Sequence, residues 1–171
     1  MKRIGITGGI GSGKSFVCRQ MAEKGVPVYD CDREAKRIQE EDTDVRNAVK
    51  ALAGENAYTK DGHLNRKWLA QWVFSDESHL AAINKIIHPA VRRDFLAWCR
   101  RQAADVVVLE SAILSEAGME DCVDEVWVVR APLETRIQRV MQRDGSTREQ
   151  VLCRIRHQKE PAHAARIIDN P

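Results

Sequence analysis

Ile4-Gly5-Ile6-Thr7-Gly8-Gly9-Ile10-Gly11-Ser12-Gly13-Lys14-Ser15 is the stretch on which the reading of this chain turns. The residues from Arg3 to Thr7 predict a short strand, and those from Lys14 to about Lys24 predict a helix, so the glycines fall in a strand-to-helix turn. Gly8 to Ser15 fits the pattern G-x-x-x-x-G-K-[ST], in which glycines let consecutive backbone N–H groups aim at phosphate oxygens. Gly8, Gly9, Ile10, Gly11, Ser12 and Gly13 form the expected cradle, and Phe16 adds its backbone N–H. Lys14 supplies a point charge to the β- and γ-phosphates and Ser15 a hydroxyl to magnesium, while the helix directs its positive end at the nucleotide. The expected ligand is ATP with magnesium.

The bulk properties are compatible with such a site and narrow what else the chain could be. With 171 residues, 43% hydrophobic and 30% charged, the chain is long enough for one well-buried core and lacks the signature of disorder. Lys plus Arg number 27 against 25 for Asp plus Glu, a net +2, so no global field argues for nucleic acid or an anionic membrane. The five cysteines, Cys18, Cys31, Cys99, Cys122 and Cys153, are scattered and never in a C-x-x-C pair; they read as reduced, mostly buried thiols. The N-terminus opens directly into a strand and no run of 18 apolar residues occurs, so a cytoplasmic location is expected.

Outward from the loop, the pattern alternates between strand and helix at both ends of the chain, which predicts an α/β fold with a parallel, doubly wound sheet. Further strands are expected at Val26 to Tyr29, Val106 to Glu110 and Glu125 to Arg130, and further helices at Leu133 to Arg143 and Arg148 to Gln158, the last capped by Ser146-Thr147. Residues 32–103 are charged and 3.6-periodic without a convincing strand, and read as a helical insertion. The core is then 1–31 with 104–171, including a lid near 139–148. Trp68 and Trp72, and Phe95 and Trp98, share helical faces in the insertion and read as packing aromatics.

Carboxylates and arginines supply the remaining chemistry. Asp30 and Asp32 stand at the carboxyl end of the second strand, where ligands of open α/β sheets bind; Asp32 is read as the catalytic residue, and Asp30 as either a supporting group or a solvated turn residue. Glu110 closes an apolar strand as the acid of a Walker B element would, holding a magnesium-bound water, although aspartate is usual there. Glu116 reads as a solvated helix residue. Arg136, Arg139 and Arg143 lie at three- and four-residue spacing and suit a lid closing over triphosphate. The five histidines show no metal-ligand spacing. A regulatory GTPase would need D-x-x-G and N-K-x-D segments, and neither occurs. A small-molecule kinase fits these residues better.

A closer resemblance runs along nearly the whole chain. The loop, Asp30-Cys31-Asp32, Asp61-Gly62-His63-Leu64-Asn65-Arg66, Val73-Phe74, His88-Pro89-Ala90-Val91-Arg92, Arg139 through Arg143-Asp144, and Ile168-Asp169-Asn170 resemble, in order, the motifs of the dephospho-coenzyme A kinase family. The resemblance implies a core like that of nucleoside monophosphate kinases, an acceptor-binding domain within 32–103 and an arginine-bearing lid. It implies ATP-dependent phosphorylation of the ribose 3′-hydroxyl of dephospho-coenzyme A, with Asp32 as base and Asp32, His88 and Arg92 toward the acceptor. The alternative is another P-loop small-molecule or nucleoside monophosphate kinase. Three departures stand out: Phe16 where threonine is common, the segment Glu110-Ser111-Ala112-Ile113-Leu114 without the usual aspartate and proline, and Arg136 where glutamine is frequent. Relatives are also expected to continue past Pro171 into a final helix.

Overall fold

The computed structural model describes residues 1–156, 158 and 163–171. In chain order the elements are β1 (Lys2–Thr7), α1 (Lys14–Glu23), β2 (Val28–Asp30), α2 (Cys31–Glu41), α3 (Thr43–Ala53), α4 (Arg66–Ser75), α5 (Glu77–Arg100), β3 (Val106–Glu110), β4 (Glu125–Arg130), α6 (Leu133–Asp144), α7 (Arg148–Arg156) and β5 (Arg166–Asp169). They divide into two compact units, Met1–Asp30 with Cys99–Pro171, and Cys31–Trp98.

The first unit is built on a sheet of order β2-β3-β1-β4-β5, each neighbouring pair parallel. β3 lies between β1 and β2, and its Val107, Val108 and Leu109 are fully buried, which is why this strand reads as an uninterrupted apolar run. Ile4, Ile6, Cys18, Val108 and Val129 form a core cluster under α1. Because β3 and β4 flank β1 on opposite sides, the chain reverses its direction of travel across the sheet at β1. The crevice at the carboxyl ends of strands is the ligand position of such sheets, and the glycine loop leaves β1 at that edge.

Three details depart from the local pattern. β2 begins at Val28 and not Val26, since Pro27 has no N–H to donate and only its carbonyl joins the sheet, accepting from Val108 N at 2.9 Å. Glu116 is exposed as expected, but lies on turns after β3 and not on a helix. β5 was not foreseen. It is four residues long with mostly exposed side chains, and it forms because β4 has a free edge: Trp127 pairs with Arg166, whose guanidinium lies 4.8 Å over the indole ring. α7 opens on a capping box in which Thr147 N donates to Gln150 Oε1 at 2.9 Å and Gln150 N to Thr147 Oγ1 at 3.4 Å. Its expected end at Gln158 includes position 157, outside the described residues.

The second unit is helical, with one isolated antiparallel bridge, Tyr58 to Leu64. That bridge closes the turn at Asp61-Gly62, where Gly62 adopts φ 84°, and Asn65 caps α4 by accepting from Trp68 N at 3.2 Å. The motif Asp61 to Arg66 is thus a tight turn feeding a helix cap. Phe95 is fully buried with Trp98 stacked beside it at 6.2 Å between centroids, and Trp72 stacks on His79 at 3.8 Å. Trp72, Phe95 and Trp98 thus pack within this unit, whereas Phe74 at the end of α4 is exposed.

Candidate active site

The loop between β1 and α1 is held by its own lysine and by three side chains distant in sequence. Lys14 Nζ donates to the Gly8 carbonyl at 2.9 Å, Arg136 Nε to the Ile10 carbonyl at 3.0 Å, and Asn170 Nδ2 to the Ser12 carbonyl at 2.9 Å. Ile10 N donates to Gln158 Oε1 at 2.6 Å, and Ser12 N to the Gly9 carbonyl at 3.0 Å. Gly13 takes φ 91°, a region costly to other residues, and a Cβ there would collide with Asn170 Nδ2. A Cβ on Gly9 would likewise collide with the Arg136 guanidinium. The protein's own side chains thus fill the space beside these glycines, and any larger residue there would displace Arg136 or Asn170.

Ser15, the second residue of α1, donates from Oγ to Glu110 Oε1 at 2.7 Å. The register of the sheet explains the meeting: Glu110 is opposite Ile6 on β1 and opposite Asp30 on β2, so the carboxylate stands beside the loop. Cys18, one turn along α1, hydrogen bonds to the same carboxylate, and burial followed by Glu110's charge pushes its thiol far above the ordinary value. It stays a neutral S–H donor, so two donors orient Glu110.

Above the loop opens a cleft of about 440 Å³, lined among others by Lys14, Ser15, Arg19, Arg139 and Arg143. Four cations facing one cleft at a helix N-terminus focus a positive potential that the net charge does not reveal. Arg139 donates to the Asn170 and Pro171 carbonyls at 3.3 and 2.9 Å. Arg143 grips Asp144 at 2.7 and 3.0 Å, which raises its pKa and holds the Asp144 carboxyl below the usual range. A second cavity of about 180 Å³, lined by Thr7, Gly9, Ser12, Arg130 and Arg136 among others, lies on the other side of the loop. The Ser12 hydroxyl is buried and finds no hydrogen-bond partner among the described residues.

Asp32 is exposed, in the first turn of α2, two residues past the end of β2. His88 and Arg92 lie one turn apart in α5, both half-buried. Desolvation by burial lowers the His88 pKa below its ordinary 6.5. The unfolded chain then binds more protons, so this contribution to stability is full above about 6.5 and is lost as pH falls through the folded value. The His88→Gln variant should show a flatter dependence of the urea midpoint on pH over that window; equal slopes in variant and wild type would refute the effect.

Sequence reasoning placed Lys14, Ser15, Glu110, Arg139 and Arg143 near one another in role, and the structure gathers them at one edge of the sheet. It did not assign Arg136, Gln158, Asn170 or Cys18 to the loop. Arg136 carried a signal, its three-residue spacing from Arg139; Asn170, a polar residue after the apolar pair Ile167-Ile168, carried a weaker one.

A parallel sheet with a Walker A loop at its switch point, a serine hydroxyl on a strand-end carboxylate and arginines from a following helix define a P-loop kinase. The chain belongs to the dephospho-CoA kinase family, whose model matches residues 2–170. A dephospho-CoA kinase of Bacteroides fragilis is 43% identical over 157 residues, covering 91% of this chain and 76% of that one. The solved Thermus thermophilus protein TT1252 superposes with a TM-score of 0.85 at 39% identity, over 99% of this chain and 88% of that chain. A dephospho-CoA kinase from Campylobacter jejuni, 24% identical, shares the fold with a TM-score of 0.70 over 99% of this chain and 89% of that one.

Proposed function

We propose that the protein transfers the γ-phosphoryl group of ATP to the ribose 3′-hydroxyl of dephospho-coenzyme A, giving coenzyme A and ADP. The observation that carries this reading is the glycine loop with Ser15 on Glu110, in a chain whose family is established. A phosphate fits here because the cleft above the loop lies at the N-terminus of α1 and is lined by Lys14, Arg19, Arg139 and Arg143. Magnesium fits the donor set Ser15 and Glu110, since this ion is commonly held by one or two protein groups, waters and substrate phosphates. When bound it would supply charge neutralisation between the β- and γ-phosphates.

The chain's own residues divide the remaining work. In this reading the Asp32 carboxylate takes the proton from the 3′-hydroxyl as that oxygen bonds to the γ-phosphorus and the bond to the β,γ-bridging oxygen breaks. Its support is its place in the chain, two residues past the end of β2, together with the family resemblance of Asp30-Cys31-Asp32. Lys14, with Arg139 and Arg143, meets the charge on the transferring group; for Arg143 this means exchanging Asp144 for phosphate. His88 and Arg92 are assigned to the acceptor. A cytoplasmic location accords with five free cysteines.

The test is ADP release from ATP and magnesium in the presence of dephospho-coenzyme A, AMP, GMP, shikimate or pantothenate, offered singly. Release should be stimulated by dephospho-coenzyme A. Stimulation by AMP or shikimate alone would overturn the assignment in favour of another small-molecule kinase.

A further inference from the structure

The phosphate loop is gripped in an alternating manner: the carbonyls of residues 8, 10 and 12 are each taken by a side-chain donor, from Lys14, Arg136 and Asn170 respectively. A trans peptide is planar, and its C=O and N–H point to opposite sides. Holding the Ile10 carbonyl therefore turns the Gly11 N–H away from Arg136, and holding the Ser12 carbonyl turns the Gly13 N–H away from Asn170. Lys14 belongs to the loop motif itself, but Arg136 and Asn170 come from α6 and from the residue after β5, so the hold on the Ile10 and Ser12 carbonyls is a tertiary feature and not a property of the loop. Contact is close enough that neither Gly9 nor Gly13 could carry a Cβ without striking its holder, and the Arg136 carbonyl lies 2.5 Å from where a Cβ on Gly11 would stand. Arg139 completes the arrangement by donating to the Asn170 carbonyl.

We infer that Arg136 and Asn170 are positioning residues for the triphosphate: by fixing the Ile10 and Ser12 carbonyls outward, they keep the Gly11 and Gly13 amides aimed at phosphate before nucleotide arrives. The inference rests on the reading of Gly8–Ser15 as the ATP site. Loose peptides would have to be ordered on binding, and an inward carbonyl would repel the anion. Such a cradle holds substrate and transition state alike, so its loss should appear in binding more than in turnover.

The experiment measures dissociation constants by calorimetry for ATP and for inorganic tripolyphosphate, with magnesium present, in wild type, Arg136→Ala, Arg136→Gln, Asn170→Ala and Asn170→Asp, alongside kcat and melting temperature. For both alanine variants both ligands should weaken by about 5- to 20-fold, one lost charge-assisted or neutral hydrogen bond in effect, with kcat within about threefold. Arg136→Gln should recover part of the loss, and Asn170→Asp should be worse than alanine because a carboxylate would face the Ser12 carbonyl. Unchanged binding in folded alanine variants would overturn the inference. So would a loss confined to ATP, which would make these residues contacts of the base or ribose. Absence of ATP binding by the wild type would overturn the site reading itself, and the inference with it.

Discussion

Asp32→Asn is expected to lower kcat for dephospho-coenzyme A phosphorylation by at least about a hundredfold, while ATP affinity measured with magnesium changes little. The substitution keeps the size of the side chain and removes its charge. A positioned general base contributes about 10² to 10⁴ in rate, whereas an exposed carboxylate without such a role changes stability by about 0.5 kcal/mol or less. Asp32 is exposed at the start of α2, so a large kinetic effect with an unchanged melting temperature would have to come from the reaction. Were Asp32 to anchor magnesium through water instead, ATP-magnesium affinity would fall with kcat and recover partly at high magnesium. An unchanged kcat would refute both roles and move attention to Asp30, which lies in register with Glu110.

The second large effect is at Lys14. The Lys14→Ala variant should lose catalysis by about 10² to 10³ or more, the scale seen when one preorganised donor to developing charge is removed. Its cost to the fold should be about 1 kcal/mol, that of one hydrogen bond to the Gly8 carbonyl from a side chain only partly covered. Steady-state kinetics with ATP, together with thermal unfolding, separates the two. Turnover within threefold of wild type would remove the lysine from the phosphoryl site.

Some of this was legible because it is written locally. The strand, the glycines and the helix from Arg3 to Lys24 are consecutive, and their periodicities need no partner to be recognised. The apolar run Val106 to Leu109 announces a strand buried on both faces, and the charged 3.6-periodic stretch announces helices. β5 was not legible: Arg166 to Asp169 holds two apolar residues and leaves most of its surface exposed, so no period distinguishes it, and it becomes a strand only where β4 offers an open edge. Glu110 was legible as a strand-end acid, but its partner was not, because Ser15 is 95 residues away and their meeting depends on β3 inserting next to β1.

The sequence by itself determined that a triphosphate-binding loop sits between a strand and a helix, that an α/β core surrounds it, and that its motifs follow one family, because each of these is carried by neighbouring residues at fixed spacing. Only the tertiary structure decided which groups hold that loop in shape. Arg136 reaches Ile10 across 126 positions and Asn170 reaches Ser12 across 158, and those contacts exist because the strand order places β4, with α6 after it, and the end of β5 around the carboxyl edge of β1. A carbonyl's partner is set by what the chain brings within hydrogen-bond distance, and no local pattern of residues encodes that.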